Sequence, residues 1–95
     1  MYHLLHYDYV PDIVEKREPH RAGHLDLLRA YEERGELLLA GPVGDPFTGA
    51  AFAFKVNSVN VIEDLVRQDP YVQNGLVPDY CIEPWTVVIG AAYKQ

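Results

Sequence analysis

His20-Arg-Ala-Gly-His24-Leu-Asp-Leu-Leu-Arg-Ala-Tyr31-Glu-Glu-Arg-Gly35-Glu-Leu-Leu-Leu-Ala40-Gly-Pro42 is the stretch on which the reading of the fold turns. Its first part has the period of a helix. His20, His24, Leu27, Leu28 and Tyr31 share one face, while Arg21, Asp26, Arg29, Glu32 and Glu33 look outward. Gly35 tolerates the left-handed conformation that ends helices. Glu36 to Ala40 then reads as a strand, stopped by Gly41-Pro42.

Outward from this pair, Tyr2 to Tyr7 is a short apolar and aromatic run that fits a first strand, broken by Pro11-Asp12. Asp12 with Glu15 has the form of a capping box, and residues 12–18 read as a loop or short turn of helix. Pro19 suits the first turn of the main helix because its φ is already fixed there. Downstream, a loop with Gly44-Asp45-Pro46 and Thr48-Gly49 precedes a third strand, Ala51 to Val56, in which Phe52, Phe54 and Val56 alternate with Ala51, Ala53 and Lys55. Ser58 caps a second helix, 59–68, ended by Asp69-Pro70. Tyr71 to Pro78 reads as a structured loop. Tyr80 to Ile89 reads as the last strand, with Pro84 marking an edge or a bulge. The order β-α-β-β-α-β predicts an α+β, ferredoxin-like domain spanning residues 1–95, an antiparallel sheet with both helices on one face.

That topology leaves the other sheet face open. Leu37-Leu38-Leu39-Ala40 is apolar on both sides, and so is the run from Trp85 to Ile89, as in strands buried on both faces. An apolar sheet face in water is a larger patch than monomers usually carry. A homodimer packed sheet to sheet is the simplest cover.

Charge and composition narrow the function. The net charge of −6 and the scattered basic residues argue against nucleic acid as a partner. Cys81 is alone, so an internal disulfide or a CxxC pair is ruled out. No run approaches the roughly 20 apolar residues of a membrane span, and the first residues lack the form of a signal peptide. A soluble, cytoplasmic setting is the expectation.

His24 is the first candidate for chemistry, because imidazole is the side chain that ordinarily titrates near neutral pH. A carboxylate on one ring nitrogen would fix its tautomer, and Asp69 is the candidate orienter if the two helices lie side by side. The plainer alternative is a core histidine satisfied by Asp69, which itself ends a helix before proline. Arg21, one turn before His24, offers a planar fork for a carboxylate or phenolate of a substrate. Its alternative is a surface ion pair with Glu18 or Asp26. His20 and His24 have the i, i+4 spacing of two metal ligands, but neither His3, His6 nor Asp69 can be placed as a third, and no metal is assigned. The tyrosines Tyr7, Tyr31, Tyr71 and Tyr80 read as core or dimer contacts, one of which reaches the pocket. Cys81 reads as packing.

Taken together, Glu15-Lys16-Arg17, Arg21-x-x-His24-Leu25, Gly35, Leu38 to Pro42, Phe47-Thr48-Gly49, Asp69-Pro70-Tyr71-Val72, Gly75 and Pro84 resemble the YCII-related (YciI-like) family over nearly the whole chain. The resemblance implies a dimeric α+β barrel, the superfamily that also holds muconolactone isomerase and cofactor-free monooxygenases. It also implies a His–Asp active site, carried onto His24 and Asp69. Two departures, a short loop between Pro42 and Phe47 and Ala50 in place of a serine, leave the substrate open.

These readings converge on a small cofactor-independent enzyme of isomerase or lyase type. It would use His24 and Asp69 for proton transfer on a small polar or aromatic-derived metabolite, with Arg21 on an anionic group. The alternative is a non-catalytic dimeric module that binds a small molecule in the same pocket. A metal-assisted or oxygen-using enzyme is a third possibility.

Overall fold

Alternation along the first strand decides which way the sheet faces. In β1 (Tyr2–Asp8) the side chains of His3, Leu5 and Tyr7 are buried, while those of Tyr2, Leu4 and His6 are only partly covered. The computed structural model describes residues 1–90. β1 lies between β3 (Gly49–Lys55) and β4 (Asp79–Trp85), and β2 (Leu37–Val43) extends the sheet beyond β3, giving the antiparallel order β2-β3-β1-β4. Leu5 faces Phe52 across the ladder, His3 faces Phe54 and Tyr7 faces Ala50, so one face of the two central strands is continuous core. This is the βαββαβ arrangement expected from the sequence.

Two helices cover that face. α2 (Arg21–Glu33) buries His24, Leu28 and Tyr31, and α3 (Val59–Gln68) buries Ile62, Leu65 and Val66. Leu5, Phe54, Ile62 and Leu65 are wholly excluded from solvent, each such side chain stabilising the fold by about 1.5–3 kcal/mol. Gln68 Nε2 donates to the Tyr31 hydroxyl at 3.1 Å and ties α3 to α2. Ser58 caps α3 by accepting from the Asn60 amide at 3.2 Å. α1 (Ile13–Lys16) is a single turn, and Pro19 lies in a separate 3-10 turn at Glu18–His20 instead of the first turn of α2, which begins at Arg21.

Several boundaries differ from the sequence reading, each for a local reason. Asp12 takes a left-handed conformation (φ 61°) and makes no side-chain cap, so the capping box with Glu15 does not form. β2 does not stop at Gly41-Pro42 but runs on to Val43. It is an edge strand, where the missing N–H of a proline need not break a ladder. A short helix, α4 (Pro70–Gln73), stands in what reads as loop. β4 ends at Trp85 instead of Ile89, because Trp85 pairs with Tyr2 at the start of β1 and no strand among the described residues lies beyond it. β2 and β4 are not covered on both faces within this chain: Leu39 is 74 % exposed and Trp85 42 %.

Two glycines permit close approaches that place the site. A side chain at Gly49 would collide with the Tyr7 carbonyl oxygen, so β3 can lie against the end of β1 only without one. A Cβ at Gly23 would stand 3.3 Å from Pro70 Cγ, and this bare patch on α2 lets α4 settle beside His24.

Candidate active site

Asp69 closes α3 and opens α4, and that double duty explains its position. Pro70 occupies the first turn of α4, where it needs no N–H partner, and the Asp69 carboxylate caps the next free amide, Tyr71 N to Oδ1, at 3.0 Å. The same Oδ1 lies 2.8 Å from His24 Nδ1, and Oδ2 accepts from the Tyr7 hydroxyl at 2.7 Å. Asp69 is fully buried. An ionised carboxylate only accepts, so the shared Oδ1 assigns the proton of this bond to Nδ1 and leaves the Nε2 lone pair of a neutral His24 available.

The imidazole is held on a second side. Its ring stacks on Tyr71 with centroids 3.7 Å apart and planes 4° from parallel. Nε2 has no hydrogen-bond partner among the described residues. His24 lines a cavity of about 200 Å³ with Tyr9, Tyr71, Arg17, Arg21 and the Gly41-Pro42 segment of β2. The extension of β2 past Ala40 therefore supplies one wall.

The phenols around Asp69 are held in their neutral form. Burial pushes the Tyr7 hydroxyl far up, and the charge of Asp69 and the hydrogen bond to it push further in the same direction. Tyr9 is pushed up to about 12, first by burial and then by Tyr71 and Asp69, with Arg17 opposing. Tyr71 is raised by burial, against the pull of Arg17 and Arg21. Tyr7 thus remains a donor to Asp69 throughout the neutral range.

Of the residues singled out from sequence, His24 and Asp69 are in contact and Arg21 stands at the same cavity. Arg21 makes no ion pair with Glu18 or Asp26. Asp26 lies 3.6 Å from Arg29 instead. His3 is buried on the helix-covered face, whereas His6 is on the open one, bonded through Nε2 to Glu83 Oε2 at 3.0 Å. Among the described residues no three His, Cys, Asp or Glu side chains gather as a metal site, and His20 joins no such group. Cys81 is exposed on the open face opposite His6, not packed in the core. Arg17 and Tyr9 are not singled out as site residues by the sequence, and Tyr7 is named there only among tyrosines of which one reaches the pocket. Tyr71 is one that does, and Tyr7 holds Asp69 from behind. For Tyr7 the signal was available, since period-two alternation with His3 and Leu5 turns it toward the helices. For Arg17 it lay in the 3-10 turn, which brings two arginines four residues apart to one cavity.

Comparison with known proteins gives the family of the chain. The YCII-related domain matches residues 1–86. This chain is a member of the YCII-related family. Its relatives include an uncharacterized protein of Haemophilus influenzae, 30% identical over 97 residues, covering 93% of this chain and 99% of that one. Protein YciI of Escherichia coli O6:H1 is 31% identical over 86 residues, 81% of this chain and 88% of its own. Among solved structures, 5-chloro-2-hydroxyhydroquinone dehydrochlorinase from Burkholderia phenoliruptrix AC1100, in complex with 2,5-dihydroxybenzoquinone, aligns with a TM-score of 0.75 at 22% identity, over 90% of this chain and 94% of that one. At that identity the likeness is one of fold. The YCII-related fold here is the one the sequence motifs imply.

Proposed function

We propose that this YCII-related protein is a small enzyme of isomerase or lyase type, in which His24 moves a proton on a small polar or aromatic-derived metabolite. One observation carries the reading. The His24 Nδ1–H donates to a fully buried carboxylate, and Nε2 has no partner among the described residues while the ring lines a cavity. That is the arrangement of a base whose tautomer is fixed from behind. Asp69 orients the ring and stabilises the imidazolium formed when Nε2 takes a proton. Tyr7 and the Tyr71 amide hold Asp69 in turn. Arg21 at the mouth would meet an anionic group. The chemistry asks only for a proton acceptor and an acidified C–H or O–H, so the protein's own residues suffice. The dehydrochlorinase of like fold acts on a hydroxylated ring, which supports a substrate of that size.

A second copy of the chain completes the molecule in this reading. The open sheet face presents Leu4, Ala51, Ala53, Leu39 and Trp85, with Leu39 and Trp85 well exposed. Packing two such faces would close a barrel of eight strands.

The test is exchange of substrate carbon-bound hydrogen with deuterated solvent, across a panel of ring-hydroxylated and keto acids. His24→Asn should abolish exchange. Asp69→Asn should lower it by about 10²–10⁴-fold, the usual range for lost acid–base assistance. A substrate turned over equally by wild type and His24→Asn would sink the mechanism.

A further inference from the structure

The arginines of this chain divide into two groups. Arg29, Arg34 and Arg67 each lie against a carboxylate, namely Asp26, Glu36 and Asp64. Arg17 and Arg21 have no carboxylate within ion-pairing distance among the described residues, and both line the His24 cavity. In a chain of net charge −6, two neighbouring guanidiniums without carboxylate partners make this cavity a local positive site, suited to an anionic group of a ligand. The link between them is short and rigid. Arg17 ends α1, the 3-10 turn at Glu18–His20 follows, and Arg21 begins α2. Arg17 is steadied from outside by Phe47 of the β2–β3 loop, its guanidinium carbon 5.7 Å from the ring centroid. Arg21 draws the Tyr71 hydroxyl down against the effect of burial, and the Tyr71 ring backs His24.

We infer that Arg17 and Arg21 form a paired clamp for a planar carboxylate, and that Arg17 sets the preference of this cavity for anionic over neutral ligands. Two guanidinium forks can each take a carboxylate oxygen, a match of geometry that a single ammonium would not give. The remaining space holds the body of the ligand. A cavity of about 150 Å³ admits benzene, so the roughly 200 Å³ here accepts one substituted six-membered ring between Tyr9 and the Pro42 wall. The clamp rests on the cavity being a ligand site, as proposed above, but not on turnover.

Benzoate and its neutral counterpart benzamide are the probes, with inorganic phosphate as a third arm. Binding is followed by calorimetry and by the nitrogen resonances of His24. Wild type should bind benzoate saturably and about ten-fold or more tighter than benzamide, the worth of one charge-assisted hydrogen bond. Arg17→Met should remove most of that preference and leave benzamide binding unchanged, and Arg17→Lys should restore only part of it. His24→Asn, in which proton transfer is lost, should keep the preference. That arm separates failure of the clamp from failure of the catalytic reading. Undetectable benzoate binding, equal affinity for benzoate and benzamide, or an Arg17→Met protein that binds benzoate like wild type would each overturn the clamp. Phosphate binding tighter than benzoate would overturn its assignment to carboxylates.

Discussion

Asp69 accepts three hydrogen bonds on two oxygens, and their donors come from β1, α2 and α4. The cluster of phenols around it has a consequence at high pH. Tyr9 titrates near 10 in an unfolded chain and at about 12 in the fold, so the native state keeps a proton that the unfolded state gives up. Stability from this group is whole below pH 10 and falls as the pH rises toward 12. Tyr7 and Tyr71, also raised, act in the same direction. Urea midpoints measured from neutral to strongly alkaline pH should decline across that window, and Tyr9→Phe should flatten part of the decline. A midpoint that holds steady there would show that burial of these phenols is weaker than described. At this scale much was legible. His24, Asp69 and Arg21 announce themselves by residue type and neighbours, but a tyrosine does not say whether its hydroxyl meets a carboxylate or a gap. Alternation turns Tyr7 toward the helices, but only the packing of the α3–α4 junction over β1 brings its hydroxyl to Asp69.

At the scale of elements, the contact that matters is α2 against α4, made through Gly23 and Pro70. Gly23→Ala pits two effects against each other. Alanine favours the helix by about 1 kcal/mol, while its Cβ would press on Pro70 at 3.3 Å and must move it by a few tenths of an ångström. We expect global stability to stay within about 1 kcal/mol of wild type. The His24–Asp69 bond should lengthen, read as an upfield move of the Nδ1 proton resonance. An unmoved resonance would mean that α4 gives way without carrying Asp69 along. The sequence showed long elements well and short or edge elements badly. α4 is one turn, below what periodicity can detect, and it depends on a cap rather than an apolar stripe. β2 runs through Gly41-Pro42 because an edge strand tolerates proline. The apolar Val87-Val88-Ile89 run has the pattern of a strand, but β4 stops at Trp85 because a strand requires a partner.

For the whole molecule, the open sheet face carries the next expectation. Leu39 is 74 % exposed in the protomer and lies on the face shared with Leu4 and Ala53. In the proposed dimer it would be among the most deeply covered residues. Sedimentation should find wild type dimeric at micromolar concentration. Leu39→Asp should raise the dissociation constant by about thirty-fold or more, the scale of a hot-spot loss, while circular dichroism stays native. A monomeric wild type would leave the face without the partner assigned to it. Tyr7 is 62 residues from Asp69 in the chain, and His24 is 45 residues away. Two long loops must close before the carboxylate meets either, and each closure is entropically opposed until the sheet and helices are already in place. The Tyr71 cap is local to α4, but no hairpin or isolated helix can supply the bonds from Tyr7 and His24. In a refolding experiment, recovery of ligand binding would time the final ordering of the chain, trailing behind the early growth of helical signal.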